Sequence, residues 1–125
     1  MKAPIKSYRD LEVWKQAIIL TKQIYQITAT FPSDERFGLM IQMRRAAVSI
    51  ASNIAEGHAR GSTADFQRFI NIALGSAAEL DTQTVISVEL GYITQEAQAN
   101  VLKQLESIGR MLHTLHRALS DRSKE

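Results

Sequence analysis

Apolar residues recur every three to four positions along four stretches of the chain, and each stretch is bounded by residues that stop helices. The first stretch opens at Asp10, a candidate N-cap, and ends at Thr30-Phe31-Pro32, because the residue before a proline is pushed out of the α region. Asp34 and Glu35 suit the first turn of a second helix, and Gly57 suits its C-terminal cap. Ser62-Thr-Ala-Asp65 has the spacing of a capping box with Asp in place of Glu, and Gly91 closes the helix that follows. Thr94 then caps a helix with its apolar stripe at Val101, Leu105, Ile108, Leu112, Leu115 and Leu119, before a polar tail from Asp121 that is expected to fray. The pattern predicts helices at roughly 10–29, 34–56, 63–90 and 94–120. Joints this short force neighbours to run antiparallel, so the expected fold is all-α, an up-down four-helix bundle in a single domain spanning residues 1–125.

The first helix carries more apolar surface than one such bundle needs. One seam runs through Leu11, Trp14, Ile18 and Tyr25, another through Val13, Ala17, Leu20, Ile24 and Ile27, and Ile19 lies off both. A fully buried large apolar side chain contributes about 1.5–3 kcal/mol, so a second seam left in water forfeits several. Two readings follow: a subunit interface along the extra seam, or an unusually wide buried face within one bundle.

Composition narrows the chemistry. The chain has no cysteine, which excludes disulfides, thiolate metal sites and cysteine nucleophiles and accords with a reducing compartment. Met1 to Ser7 lacks the apolar run of a secretory signal and no apolar stretch is long enough to span a bilayer, so a cytoplasmic protein with no membrane partner is expected. The net charge is only +2, with an isoelectric point near 9.1. Its distribution is uneven: residues 1–30 hold five Lys/Arg against two Asp/Glu, whereas residues 62–93 hold one against four. That asymmetry suits self-association or an anionic partner, as well as plain solvated faces.

A polar row occupies a seam spacing in the middle of the chain. On helix two it comprises Gln42, Arg45, Ser49, Ser52 and Glu56; on helix three Arg68, Ile72, Gly75, Glu79 and Gln83. In an antiparallel pair, facing positions sum to a constant, and the value 124 sets Glu56 opposite Arg68, Arg45 opposite Glu79 and Ser49 opposite Gly75. A mid-helix glycine costs about 1 kcal/mol relative to alanine, and close approach of Ser49 would explain Gly75. The expectation is a partly buried polar clamp of Arg45, Ser49, Glu56, Arg68, Gly75 and Glu79; ordinary solvated pairs on an outer groove are the alternative.

These same stretches carry a resemblance. Asp10-Leu-Glu-Val-Trp-Lys-Gln-Ala17, the run from Phe31-Pro32 through Gln42-Met-Arg-Arg-Ala-Ala-Val-Ser-Ile-Ala-Ser-Asn-Ile-Ala-Glu-Gly57 to Arg60, and Asp65-Phe-Gln-Arg-Phe69 on to Ile72-Ala-Leu-Gly-Ser-Ala-Ala-Glu-Leu80 resemble the bacterial four-helix-bundle proteins encoded within intervening sequences of 23S ribosomal RNA genes. Arg45, Ser49, Asn53, Glu56, Gly57, Gly75, Ser76 and Glu79 fall on that family's pattern, while Ala51 and His58 stand where it often has proline and an aromatic. The resemblance implies a homo-oligomeric ring, typically a pentamer, akin to the accessory protein of diversity-generating retroelements, which binds nucleic acid and a reverse transcriptase. It does not imply an enzyme, and a non-enzymatic protein without a cofactor is expected. RNA or DNA binding is then expected through weak, multivalent phosphate contacts, with Arg9, Lys15, Lys22, Arg44 and Arg60 as candidates, and a protein partner is the rival.

Other chemistries leave weaker marks. No glutamate has a histidine three positions on, as the di-metal bundles require, and neither a phosphate-binding loop nor a nucleophile elbow is present. Arg110 and His116 have a spacing that resembles the active-site motif of helical HEPN-type ribonucleases, which makes metal-independent RNA cleavage the enzymatic alternative.

Overall fold

The computed structural model describes residues 5–123, and among these it is entirely helical. Its four long helices are α1 (Glu12–Thr28), α2 (Leu39–Ala59), α3 (Thr63–Glu89) and α4 (Gln95–Ser123). Each packs on its sequence neighbours, and α4 returns to α1, which closes an up-down square. The α2–α3 pair is the most intimate and α1–α4 the loosest.

The second seam of α1 supplies the core: Val13, Ala17, Leu20 and Ile24 are buried together with Met43, Ile50 and Ile54 of α2, Ile70 and Leu80 of α3, and Val101, Ile108 and Leu112 of α4. Of the α4 stripe expected from periodicity, Val101, Leu105, Ile108, Leu112 and Leu119 are buried and Leu115 packs at the margin. Three buried hydroxyls do not interrupt this core, because they return their protons to their own helices. Thr28 donates to the Ile24 carbonyl at 2.7 Å, Thr84 to Leu80 at 2.7 Å and Ser87 to Gln83 at 2.8 Å.

Several helix ends differ from expectation, each for a visible reason. Asp10 does not cap α1. It ends a 3-10 turn, Tyr8–Asp10, where its carboxylate accepts backbone N–H groups of Lys6 and Ser7 at 2.8 and 3.2 Å, and those bonds hold its pKa below the ordinary value. Asp34 and Glu35 likewise form a separate 3-10 turn, Ser33–Glu35, and α2 begins four residues later. Glu35 still serves the helix from outside, since its Oε1 accepts the Leu39 N–H at 3.1 Å. The caps at Ser62 and Thr94 stand where expected, accepting from Asp65 and Ala97 N–H at 3.1 Å each. At the far end α4 stays helical through Ser123, so Asp121 does not begin a frayed tail; residues 124 and 125 lie outside the described residues.

Gly57 is no C-cap either. It lies inside α2, and the turn to α3 is made instead by Gly61 at a φ of 81°. What Gly57 provides is proximity. A Cβ there would stand 2.6 Å from Cβ of Phe69 and 3.1 Å from Cδ1 of Phe66. Gly75 is the opposite case, with open space where its Cβ would be.

Two predictions follow from this geometry. Gly57→Ala is expected to destabilise the fold by about 1–3 kcal/mol through overpacking, despite alanine's better helix propensity. Gly75→Ala is expected to stabilise it by up to about 1 kcal/mol. Urea midpoints of the two variants check both, and equal effects would contradict the assignment of the close approach. At the other end of the bundle Tyr92 stacks on Phe31 with ring centroids 5.2 Å apart and donates its O–H to Glu35 at 2.8 Å. The bond to Glu35, then desolvation, raises the phenol pKa above its ordinary value. A raised folded pKa means stability that is complete below the unfolded value near ~10 and is lost as pH rises through the folded one. Melting temperatures are therefore expected to fall more steeply for the wild type than for Tyr92→Phe as pH rises above about 10, and to run in parallel below it.

Candidate nucleic-acid interface and assembly surfaces

The polar row of α2 and α3 is real, but its register and partners differ from the expected clamp. Ser49 meets Ser76, not Gly75, with the hydroxyl oxygens 2.8 Å apart, and Asn53 Nδ2 donates to the Ser49 carbonyl at 2.7 Å and to its Oγ at 2.9 Å. That places Ser76 and Gln83 toward α2 and turns Gly75 and Glu79 outward to solvent. Arg45 and Glu79 are both exposed and do not pair; Glu79 accepts instead from Gln83 Nε2 at 3.2 Å. Glu56 pairs along its own helix with Arg60 at 2.9 Å, and Arg68 pairs with Asp65 at 3.6 Å. The i, i+4 and i, i+3 partners win because they lie one turn away on the same face, whereas the cross-helix partners are rotated apart. The row is a hydrogen-bonded seam at Ser49, Asn53 and Ser76, edged by solvated charges.

The five candidate phosphate contacts divide into two groups. Arg44 is committed to the fold: Nε donates to Thr28 Oγ1 at 2.9 Å, Nη2 donates to the Tyr25 carbonyl at 3.2 Å, and the guanidinium lies 4.4 Å from the Tyr25 ring centroid. A cation at the carbonyl end of α1 also complements that helix's dipole. Arg60 is neutralised by Glu56, whose hydrogen bond raises its pKa, and sits over the Phe69 ring at 5.2 Å. Arg9, Lys15 and Lys22 are exposed, with no ion-pair partner among the described residues. Arg110 and His116 do not converge. Six residues along a helix turn the two side chains about 120° apart, leaving Arg110 on the solvent face and His116 half-buried.

The extra seam of α1 remains largely uncovered. Leu11 is buried and Trp14 packs edge-on against Tyr8, but Ile18 and Tyr25 are 44% and 43% exposed, and Ile19, off the seam, is 53% exposed. Trp14, Ile18 and Thr21 face Val48, Ala51 and Ala55 of α2 across a shallow groove of about 280 Å³. A second apolar strip runs along the outer edge of α3, where Ile72, Ile86 and Leu90 are each about half exposed. Phe37, 89% exposed in the joint before α2, escaped sequence reasoning because no periodicity marks a single loop residue. Among the described residues no three His, Asp or Glu side chains gather to hold a metal, and no helix is long and apolar enough to cross a membrane.

The fold and its surfaces thus define an antiparallel four-helix bundle with a hydrogen-bonded α2–α3 seam and two uncovered apolar edges. The family model described as 23S rRNA-intervening sequence protein matches residues 9–114, and the chain belongs to that family. A similar solved structure is a protein of unknown function from the S23 ribosomal protein family of Bacteroides thetaiotaomicron. It shares 24% identity with this chain, with a TM-score of 0.78 over 84% of this chain and 95% of that one, and so supports the fold. No curated protein matches.

The α2–α3 seam is testable by coupling. A double-mutant cycle at Ser49 and Ser76, each to alanine, is expected to give about 1 kcal/mol. The same cycle at Arg45 and Glu79 is expected to give less than about 0.3 kcal/mol in the isolated protomer. A large Arg45–Glu79 coupling would restore the cross-helix clamp.

Proposed function

We propose that the protein is a non-enzymatic scaffold that assembles with copies of itself into a closed ring and holds nucleic acid through repeated weak phosphate contacts. The observation that carries the reading is the pair of uncovered apolar edges, which flank α2 on adjoining sides of the bundle and differ in charge. The α1–α2 edge exposes Ile18, Tyr25 and Val48 beside Lys15 and Lys22; the α3 edge exposes Ile72, Ile86 and Leu90 beside Glu79 and Glu89. Unlike edges invite a heterologous contact, one copy's first edge on the next copy's second. A heterologous contact generates a ring where its rotation closes. This fits the pentamer that the family resemblance implies.

Nucleic acid enters through charge and multiplicity. Each chain has 15 Lys/Arg against 13 Asp/Glu, a net +2, so five copies carry about +10. Weak contacts repeated around a ring gain from effective concentration what each lacks alone. The separation of Arg110 from His116 favours binding over cleavage.

Light scattering and mobility shifts test the two halves separately. The wild type is expected to be multimeric, and Ile18→Asp or Ile86→Asp, both at exposed positions, to dissociate it while circular dichroism stays helical. RNA or DNA is expected to shift at ~50 mM salt and to be released by ~200 mM. A monomer at all concentrations would refute the ring, and no shift at either salt would refute the nucleic-acid role in favour of a protein-binding scaffold. Loss of RNA that vanishes in His116→Ala would instead establish a ribonuclease.

A further inference from the structure

We infer that the surface meeting nucleic acid is the outer ridge of α4, formed by Lys103, Arg110 and Arg117, and that its ligand is the sugar-phosphate backbone of a duplex. The inference rests on the nucleic-acid reading above and assigns it a face. The three cations are seven residues apart, so they stand in line along the helix, each about 10 Å beyond the last and drifting only about 20° per step. All three are exposed, and none has an ion-pair partner among the described residues. Glu96, one heptad before Lys103, and Glu106 and Asp121 lie on the same side of the helix, which keeps the affinity of a single copy low and makes repetition necessary.

The division of surface in the bundle favours this ridge over the cations of α1. Lys15 and Lys22 stand beside the exposed Ile18 and Tyr25, on the edge that self-association would cover. Helix α4 is different. Its core stripe is buried, Leu102 is its sole large apolar side chain exposed beyond a third, and its outer face is otherwise polar. Contact between the α1–α2 and α3 edges of successive copies leaves α4 outside, so its ridge repeats once per copy on an open surface.

The ridge also selects its ligand. Helix α4 contains no Phe, Tyr or Trp, so beyond the imidazole of His113 and the guanidinium planes of its arginines it offers unpaired bases no stacking platform. Point charges on a straight helix match a backbone that is itself regular, and carry no base readout.

Fluorescence anisotropy with RNA and DNA duplexes of one sequence, and with the corresponding single strands, tests this. The triple variant Lys103→Gln, Arg110→Gln, Arg117→Gln is expected to lose at least tenfold in duplex affinity at ~50 mM salt, and to show a shallower salt dependence by up to about 3 in the log–log slope per copy bound. Its helicity and copy number by light scattering should match the wild type. Ultraviolet crosslinks to RNA, mapped by mass spectrometry, are expected on peptides covering 99–118; this readout does not depend on assembly. Wild-type affinity in the triple variant, crosslinks confined to residues 9–22, or a preference for single strands would each overturn the assignment while leaving nucleic-acid binding intact. A wild type that binds no nucleic acid would overturn the parent reading itself.

Discussion

The close approach of α2 to α3 at Gly57 sets the arrangement of much else in the bundle. With no side chain there, α2 comes down onto Phe66 and Phe69 one turn before the joint, and the joint itself is only Arg60, Gly61 and Ser62. Two contacts at one end of a helix pair fix its register all the way along. Ser49 is thereby brought to Ser76, and Met43 to Ser87, whose hydroxyl lies 3.3 Å from the sulfur. The same register decides what faces outward. Once Ser76 points at α2, Gly75 one residue before it is rotated about 100° toward solvent, and Glu79 goes with it.

The polar groups of the core follow from that choice. Small hydroxyls tolerate burial because Thr28, Thr84 and Ser87 bond within their own helices and Ser76 bonds to Ser49, so the α2–α3 contact needs no charge to hold it. Apart from Gln83, buried against α2, larger polar groups tie helices together at the margins, across the looser contacts. Gln67 Nε2 donates to Ser120 Oγ at 2.7 Å between α3 and α4, and the amides of Gln104 and Gln23 bond between α4 and α1. Arg44 does the same between α2 and the end of α1. Ion pairs play a lesser part, since both that the described residues form are short-range and substantially solvated, a class worth about 0–1 kcal/mol.

Helix number, joints and core stripe were legible in the sequence because the 3.6-residue period and the caps at Ser62 and Thr94 act locally. The α2–α3 register was not. Seam spacing recurs on every face of a helix, so the row Gln42, Arg45, Ser49 reads equally as buried or exposed, and complementary charges cannot say whether partners lie across the groove or one turn away. Glu56 had both Arg68 and Arg60 to choose from. The signal that could have settled it was Gly57 with Phe66 and Phe69 just across the joint, a small residue opposite two large ones. Of the candidate contacts, the sequence could not separate Arg44, engaged with α1, from Lys22, which is free in the protomer; that distinction is made by a contact between residues 16 and 19 positions apart.

The two apolar edges also constrain what kind of assembly is stable. Ile18, Tyr25 and Val48 on one edge and Ile72, Ile86 and Leu90 on the other are already about half covered, so each gains about 1 kcal/mol on full burial. One contact therefore yields roughly 6 kcal/mol before costs, which is of the same order as the ~4–15 kcal/mol lost in immobilising a partner. An isolated pair held this way is weak. The copy that closes a ring makes two such contacts for one loss of freedom, so closure rather than pairing is where the apolar edges become effective. Salt would separate the two roles proposed for the surface. Burial of apolar area persists as ionic strength rises, whereas phosphate contacts fade, so the proposed ring would release nucleic acid without coming apart.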